Sequence, residues 1–192
     1  MGVITWNGSA STDYGTAANW SSGSVPSASS NVVIPDTSSI NNCVLDTNRT
    51  ANSFRIDANG TFDGDGNLLT VDSEGDATTG ASEGFAVNID GIISGTDTDI
   101  AITTPTATTL DLYAQGGGKL RNVTINHASC VATLGALLDI TGDLTITAGE
   151  LNTNSGSNYA VTVAGDVSVT GTLTGNASAI SFGSLTIASG GT

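Results

Sequence analysis

Asp63-Gly64-Asp65-Gly66-Asn67, with Glu74 beyond it, sets four oxygen-bearing side chains at positions 1, 3, 5 and 12 of a loop, the spacing with which calcium loops surround a hard cation. Position 6 of such a loop must turn sharply and is normally glycine, whereas here it is Leu68, inside the apolar run Leu68-Leu69-Thr70-Val71. The stretch therefore reads as two acidic turns around a strand. Calcium held by Asp63, Asp65, Asn67 and Glu74 is kept as the alternative. Asp63/Asp65 and Asp97/Asp99 are i, i+2 pairs that would share one face of a strand, and paired carboxylates can hydrolyse glycosides. Lyase chemistry also needs cations to hold an enolate, and the chain has only four, of which just Lys119 and Arg121 are adjacent. Gly116-Gly117-Gly118-Lys119 lacks the first glycine, the Ser or Thr after lysine and the helix of a phosphate loop, so it reads as a corner. His127 is the single histidine, with no nucleophile or metal partner in sight, and is expected at an exposed turn. No catalytic residue, cofactor or metal site is assigned, and the chain is not expected to be an enzyme.

The elements that would carry these residues are written most clearly from Leu138 onward. Ile140-Thr141-Gly142-Asp143-Leu144-Thr145-Ile146 recurs as Val163-Ala164-Gly165-Asp166-Val167-Ser168-Val169, and again as Phe182-Gly183-Ser184-Leu185-Thr186-Ile187. The glycines are 165 − 142 = 23 and 183 − 165 = 18 residues apart, a spacing of stacked supersecondary units and not of heptads. Each triplet alternates apolar and hydroxyl side chains, the period of a strand. Leu144, Val167 and Leu185 should thus align in neighbouring layers. Similar triplets run back through the chain, including Val32-Val33-Ile34, Phe54-Arg55-Ile56, Ile100-Ala101-Ile102 and Val123-Thr124-Ile125. A glycine follows several of them, read as a corner where positive φ is cheap. The expected architecture is all-β, a right-handed parallel β-helix or β-solenoid of seven or eight rungs, about 35–40 Å long at the spacing of stacked strands.

Composition agrees. Only 11% of residues are charged and 5% aromatic, with 25 glycines, so the surface must consist of hydroxyls and amides, which suits strands and turns. The net charge of −14, with Arg49, Arg55, Lys119 and Arg121 as the only cations, opposes binding to nucleic acid or anionic lipid. No apolar run is long enough for membrane insertion, and the amino terminus shows no signal-peptide pattern. Cys43 and Cys130 lack metal spacing and should sit rungs apart as buried free thiols. The six Asn-x-Ser/Thr sequons follow from composition.

Residues 1–35 differ from the rest, holding both tryptophans, Tyr14 and two of the three prolines. A stacked array needs an atypical first unit to cover its core, so 1–35 reads as a cap plugged by Trp6, Tyr14 and Trp20, continuous with rungs over 36–192. An aromatic sugar site is the alternative. Ser189-Gly190-Gly191-Thr192 follows the last triplet with no second aromatic cap, so a sheet edge is expected there, covered by further polypeptide or by a partner.

Thr5-Trp6-Asn7-Gly8, Ser11-Thr12-Asp13-Tyr14, Ala18-Asn19-Trp20, Gly23-Ser24-Val25-Pro26 and Asn31-Val32-Val33-Ile34-Pro35 resemble the amino-terminal cap of large β-solenoid surface proteins of bacteria and bacteriophages. That pattern usually has Trp where this chain has Tyr14, and often Asp where it has Ser30. The resemblance covers about the first 45 residues and brings no catalytic residues. It implies a structural or adhesive role. The expectation is a non-enzymatic structural protein on a particle surface, a phage virion component such as a head decoration, fibre or spike. It would assemble with itself or with other surface proteins, with a surface glycan as a further partner. A fragment of an adhesin, on a bacterial cell surface or extracellular, is the second reading. A tailspike-like module that binds or cleaves carbohydrate is the third.

Overall fold

The computed structural model describes residues 2–73, 85–95 and 97–192. Strands form where β-branched and apolar residues alternate with hydroxyls, and every pairing between named strands is parallel. They fall into three stacks. The first runs through Val3–Thr5, Asn31–Ile34, Ser53–Ile56, Phe85–Ile89, Ala107–Asp111, residues 131–134, residues 150–152 and Thr172–Thr174. The second takes Arg49–Ala51, Leu68–Val71, Asp99–Ile102, residues 123–125, residues 144–146, Asp166–Val169 and Ser184–Ile187. The third holds Cys43–Val44, Thr61–Asp63 and Ile92–Ser94, then Leu138–Ile140, Val161–Val163 and Ile180–Ser181. Single bridges at Ile92/Gln115 and Leu120/Ile140 carry the third stack across its middle.

The chain visits the stacks in a fixed cyclic order of first, third, second, and the long strands Val123–Leu134 and Leu144–Asn152 bend from the second into the first. The result is all-β, with a large, strongly curled parallel sheet of the kind a β-solenoid is built from. Among the described residues the first stack has eight layers and the second seven, in line with the rungs counted from the triplets. Leu144, Val167 and Leu185 are register partners, as their phrase predicts.

Every second residue of each stack points inward, and these side chains make one continuous apolar core from Trp6 to Val169. Cys43 and Cys130 belong to it as free thiols. The core thins at the last layer, where Phe182, Leu185 and Ile187 are 39%, 43% and 54% exposed. None of the described helices is long and apolar enough to cross a membrane.

Of the corner glycines that follow the triplets, Gly149 has positive φ and Gly60 and Gly171 do not, and the glycines inside the repeated phrase have another reason. Gly142, Gly165 and Gly183 are absent from the positive-φ residues, so backbone freedom is not why they are glycine. A Cβ on Gly165 would strike Asp143 Oδ1 and lie 2.7 Å from the Gly142 carbonyl oxygen, and one on Gly183 would lie 2.7 Å from the Gly165 carbonyl oxygen. The glycines are there because successive layers touch through their backbones. Next to them runs a ladder in which one side-chain oxygen accepts from the layer above. Asp99 Oδ1 accepts the Asn122 N–H at 3.2 Å, Asn122 Oδ1 that of Asp143 at 2.8 Å, and Asp143 Oδ1 that of Asp166 at 2.8 Å. The Ser184 hydroxyl closes on Asp166 Oδ1 at 2.6 Å. Gly149 is the corner that does need positive φ, at +85°.

Candidate functional site

The cap is the most elaborately bonded region. Residues 19–21 turn back antiparallel along the outer edge of Val3–Thr5: Asn7 N–H donates to the Asn19 carbonyl at 2.7 Å, Ser21 N–H to the Thr5 carbonyl at 2.9 Å, and Trp6 bridges Trp20. On the third stack, Val44 N–H donates to the Thr12 carbonyl at 2.8 Å and Tyr14 N–H to the Val44 carbonyl at 2.9 Å. Two first-layer edges are thereby closed by the chain itself.

Trp20 packs edge-on against Trp6 and Tyr14, with centroids 4.9 and 4.6 Å away, and all three are at most 1% exposed. Each indole nitrogen is committed, Trp6 Nε1 to the Asn41 carbonyl at 2.7 Å and Trp20 Nε1 to the Tyr14 carbonyl at 2.8 Å. These aromatic faces are core and offer no sugar platform. Sequence reasoning passed over Asn19, which is fully buried. Its amide accepts from Ala10 and Ser11 N–H and donates to the Ser11 hydroxyl and the Asp13 carbonyl.

The Tyr14 hydroxyl is buried with no hydrogen-bond partner among the described residues, and burial, with Cys43 close by, pushes its pKa far up. Tyr14→Phe should therefore stabilise the protein by about 1 kcal/mol, because it removes a polar atom that lost water and gained nothing. Urea unfolding followed by tryptophan fluorescence checks this, and a drop in stability would show the hydroxyl to be satisfied after all.

At the acidic corner, Asp63, Asp65 and Asn67 are tied into a local turn. Asp63 Oδ1 accepts the Asp65 N–H at 2.9 Å, Asn67 N–H closes the turn on the Gly64 carbonyl at 2.8 Å, and the Asn67 amide donates to the Leu45 and Asp65 carbonyls, both at 3.2 Å. This oxygen set serves a turn. Glu74 lies outside the described residues. The structure also sorts the carboxylate pairs differently from the sequence. Asp99 is clamped by Arg121, with Nε at 2.8 Å and Nη2 at 2.7 Å, and also by the Asn122 amide at 3.0 Å. Asp63 and Asp97, 34 positions apart, instead converge on Gly95, where a Cβ would lie 3.1 and 3.2 Å from their Oδ1 atoms. Only knowledge of the layer register could have paired them.

All four cations are committed: Arg49 to Asp46 at 2.5 Å, Arg55 to Asp57 at 2.6 Å, Lys119 to Asp139 at 2.6 Å and Arg121 to Asp99 at 2.7 Å. Lys119 follows the Gly116–Gly118 corner, in which Gly116 and Gly117 have φ of +74° and +82°. His127 is not in a turn. It is half-buried within Val123–Leu134, where the register shifts between layers, and its Nδ1 accepts the Ser129 N–H at 3.2 Å.

Desolvation raises the pKa of half-buried Asp111, with the neighbouring charge of Asp90 adding to it, and desolvation also raises that of Asp72. A carboxyl whose folded pKa is raised stabilises the fold fully below its unfolded pKa, and that contribution is lost as pH rises through the folded value. Stability should thus increase as pH falls from 7 towards about 4, the ordinary carboxylate range. Thermal midpoints measured across that window check this, and Asp111→Asn should flatten the slope.

A groove of about 400 Å³ opens where the second stack bends into the first, between Ala128, Val131, Thr147, Glu150, Thr170 and Gly190. Cys130 also borders it, its thiol pushed up to about 11 by burial. Comparison with protein-family models, with curated proteins and with solved structures returns no match for this chain.

Proposed function

We propose that this chain is a non-enzymatic structural protein displayed on a particle surface, and that its curled sheet is a right-handed β-solenoid acting as a stiff shaft. A phage virion is the particle favoured, with the chain as a head decoration, fibre or spike. The observation that carries this is the unbroken stack: layer after layer bonded to its neighbour, sealed at the amino end by Trp6, Tyr14 and Trp20. The commitment of all four Lys and Arg side chains to carboxylates supports it, since among the described residues acidic polysaccharides and phosphates would meet only paired lysine and arginine.

Immunogold labelling and mass spectrometry of purified virions test the reading. Recovery of the chain in the particle at stoichiometric amounts supports it, whereas recovery only on washed bacterial cells would move the assignment to a surface adhesin. The groove at Val131 and Glu150 favours one second reading, a carbohydrate-binding module. Its test is a screen of neutral and acidic oligosaccharides against the native chain and Glu150→Ala, in which binding lost in the variant would establish it.

A further inference from the structure

The outer surface of the second stack carries Thr124, Thr145, Ser168 and Thr186 in consecutive layers, placed there by a register that runs without a shift through residues 123–125, 144–146, 167–169 and 185–187. Two positions further on, Thr147, Thr170 and Ala188 are exposed; Thr170 and Ala188 lie one residue past their strands and donate their N–H to the Ile146 and Val169 carbonyls, at 2.8 Å each. The apolar residues between them, Ile146 and Val169, are buried, which fixes the outward direction of the hydroxyl-bearing positions. The surface is a small grid of hydroxyls and methyls.

Three properties set this grid apart. Its two columns hold no charged side chain, in a protein of net charge −14, and the bordering carboxylates of Asp143 and Asp166, two positions before Thr145 and Ser168, are engaged by the next layer. Its hydroxyls at Thr124, Thr145, Thr147, Ser168, Thr170 and Thr186 have no hydrogen-bond partner among the described residues, whereas the ladder at the adjacent corner is fully engaged. Its spacing is imposed by the backbone, about 4.8 Å between layers and about 6.7 Å between positions two residues apart. Each hydroxyl offers one donor and two acceptor sites, so all of that capacity goes to water. β-branched side chains are stiff, so the water they hold is held at a fixed repeat in two directions. Between the hydroxyls stand threonine methyls, which bond no water and leave it little freedom to sit elsewhere.

We propose that this face of the second stack binds ice. Ice is a lattice of oxygens with a repeat close to the strand spacing, built wholly of hydrogen bonds and uncharged, and the two columns offer matched uncharged donors and acceptors. A flexible glycan would not need the two-dimensional repeat, and a second copy would have to bury the free hydroxyls against one another. The inference stands apart from the particle-surface reading, and either can fail alone.

The test uses the 192-residue chain and a single ice crystal in a supercooled droplet, with freezing hysteresis and crystal shape as readouts. The native chain should facet the crystal and open a gap between melting and freezing. Thr145→Lys with Ser168→Lys should lose both effects, while Thr162→Lys, on the outward face of the third stack, should keep them. Circular dichroism and urea midpoints confirm that each variant is folded. Smooth, unshaped crystals with the native chain would overturn the proposal, as would equal loss in Thr162→Lys. So would association of the chain with itself through this face in place of ice shaping, read by sedimentation of the native chain and the double variant.

Discussion

Trp20→Ala should lower stability by about 3–5 kcal/mol, the cost of emptying a large aromatic site, and the thermal midpoint by roughly 10 °C for a chain of this size. Trp20 is 1% exposed and lies between Trp6 and Tyr14, so neither neighbour can fill the space without giving up its own edge-on contact. Its indole N–H also fixes the Tyr14 carbonyl, and the Tyr14 N–H in turn closes the Val44 edge. The loss should therefore spread from packing to hydrogen bonding. With residues 19–21 loosened, the outer edge of Val3–Thr5 is unpaired, and light scattering should reveal association at temperatures where the native chain stays dispersed. Trp20→Phe keeps ring packing but not the N–H bond and should lose less than half as much. A Trp20→Ala protein that melts within a degree or two of the native one would mean the cap does not hold the stack.

Gly165→Ala adds one methyl group and should cost about 2–3 kcal/mol, the upper part of the range for overpacking. The new Cβ would meet the Asp143 carboxylate and the backbone of Gly142, with the carbonyl oxygen at 2.7 Å and the carbonyl carbon at 2.9 Å. Backbone atoms already locked in a layer cannot step aside, so the layers must part locally. Gly156→Ala is the control, since its Cβ would find only Asn154 Oδ1, at 3.4 Å, and its effect should stay within about 0.5 kcal/mol. Hydrogen exchange should locate the damage in residues 143–146 and 166–169, because a stacked protein transmits strain to neighbouring layers only. Equal melting of the two variants would refute contact between glycines as the reason for the repeat.

The fold was legible where the chain repeats itself. Ile140–Ile146, Val163–Val169 and Phe182–Ile187 carry strand period, layer spacing and register together, and the structure aligns them as written. What the phrase meant was less legible. A glycine chosen for close approach looks the same in sequence as one chosen for positive φ, and only the neighbouring layer, some twenty residues away, separates Gly165 from Gly149. The candidate chemistry was harder for the same reason. Asp63/Asp65 and Asp97/Asp99 are neighbours along the chain, but side chains meet across layers, so Asp63 and Asp97 both flank Gly95 and Asp99 met Arg121. The interval from Leu69 to its register partner Ile100 is 31 residues, against 23 from Ile100 to Val123, and no regular period read from the phrase would have placed that longer turn. Asn19 went unnoticed because one buried amide carries no periodic signal.

The antiparallel reversal at Trp6 and Trp20 also gives assembly a direction. Trp6 and Trp20 are made before Asn31–Ile34 and the strands after it, and the plug closes once Asn41 and Val44 arrive to take the bonds of Trp6 and Tyr14. Each later strand then meets a completed template with its bonding groups already aligned, and closes a loop of about twenty residues in place of a search through the whole polypeptide. Folding would advance like a zipper with a single starting stop. Refolding from denaturant, where every triplet becomes available at once and Val167 can settle on the wrong look-alike strand, should be slower and less faithful than folding during translation.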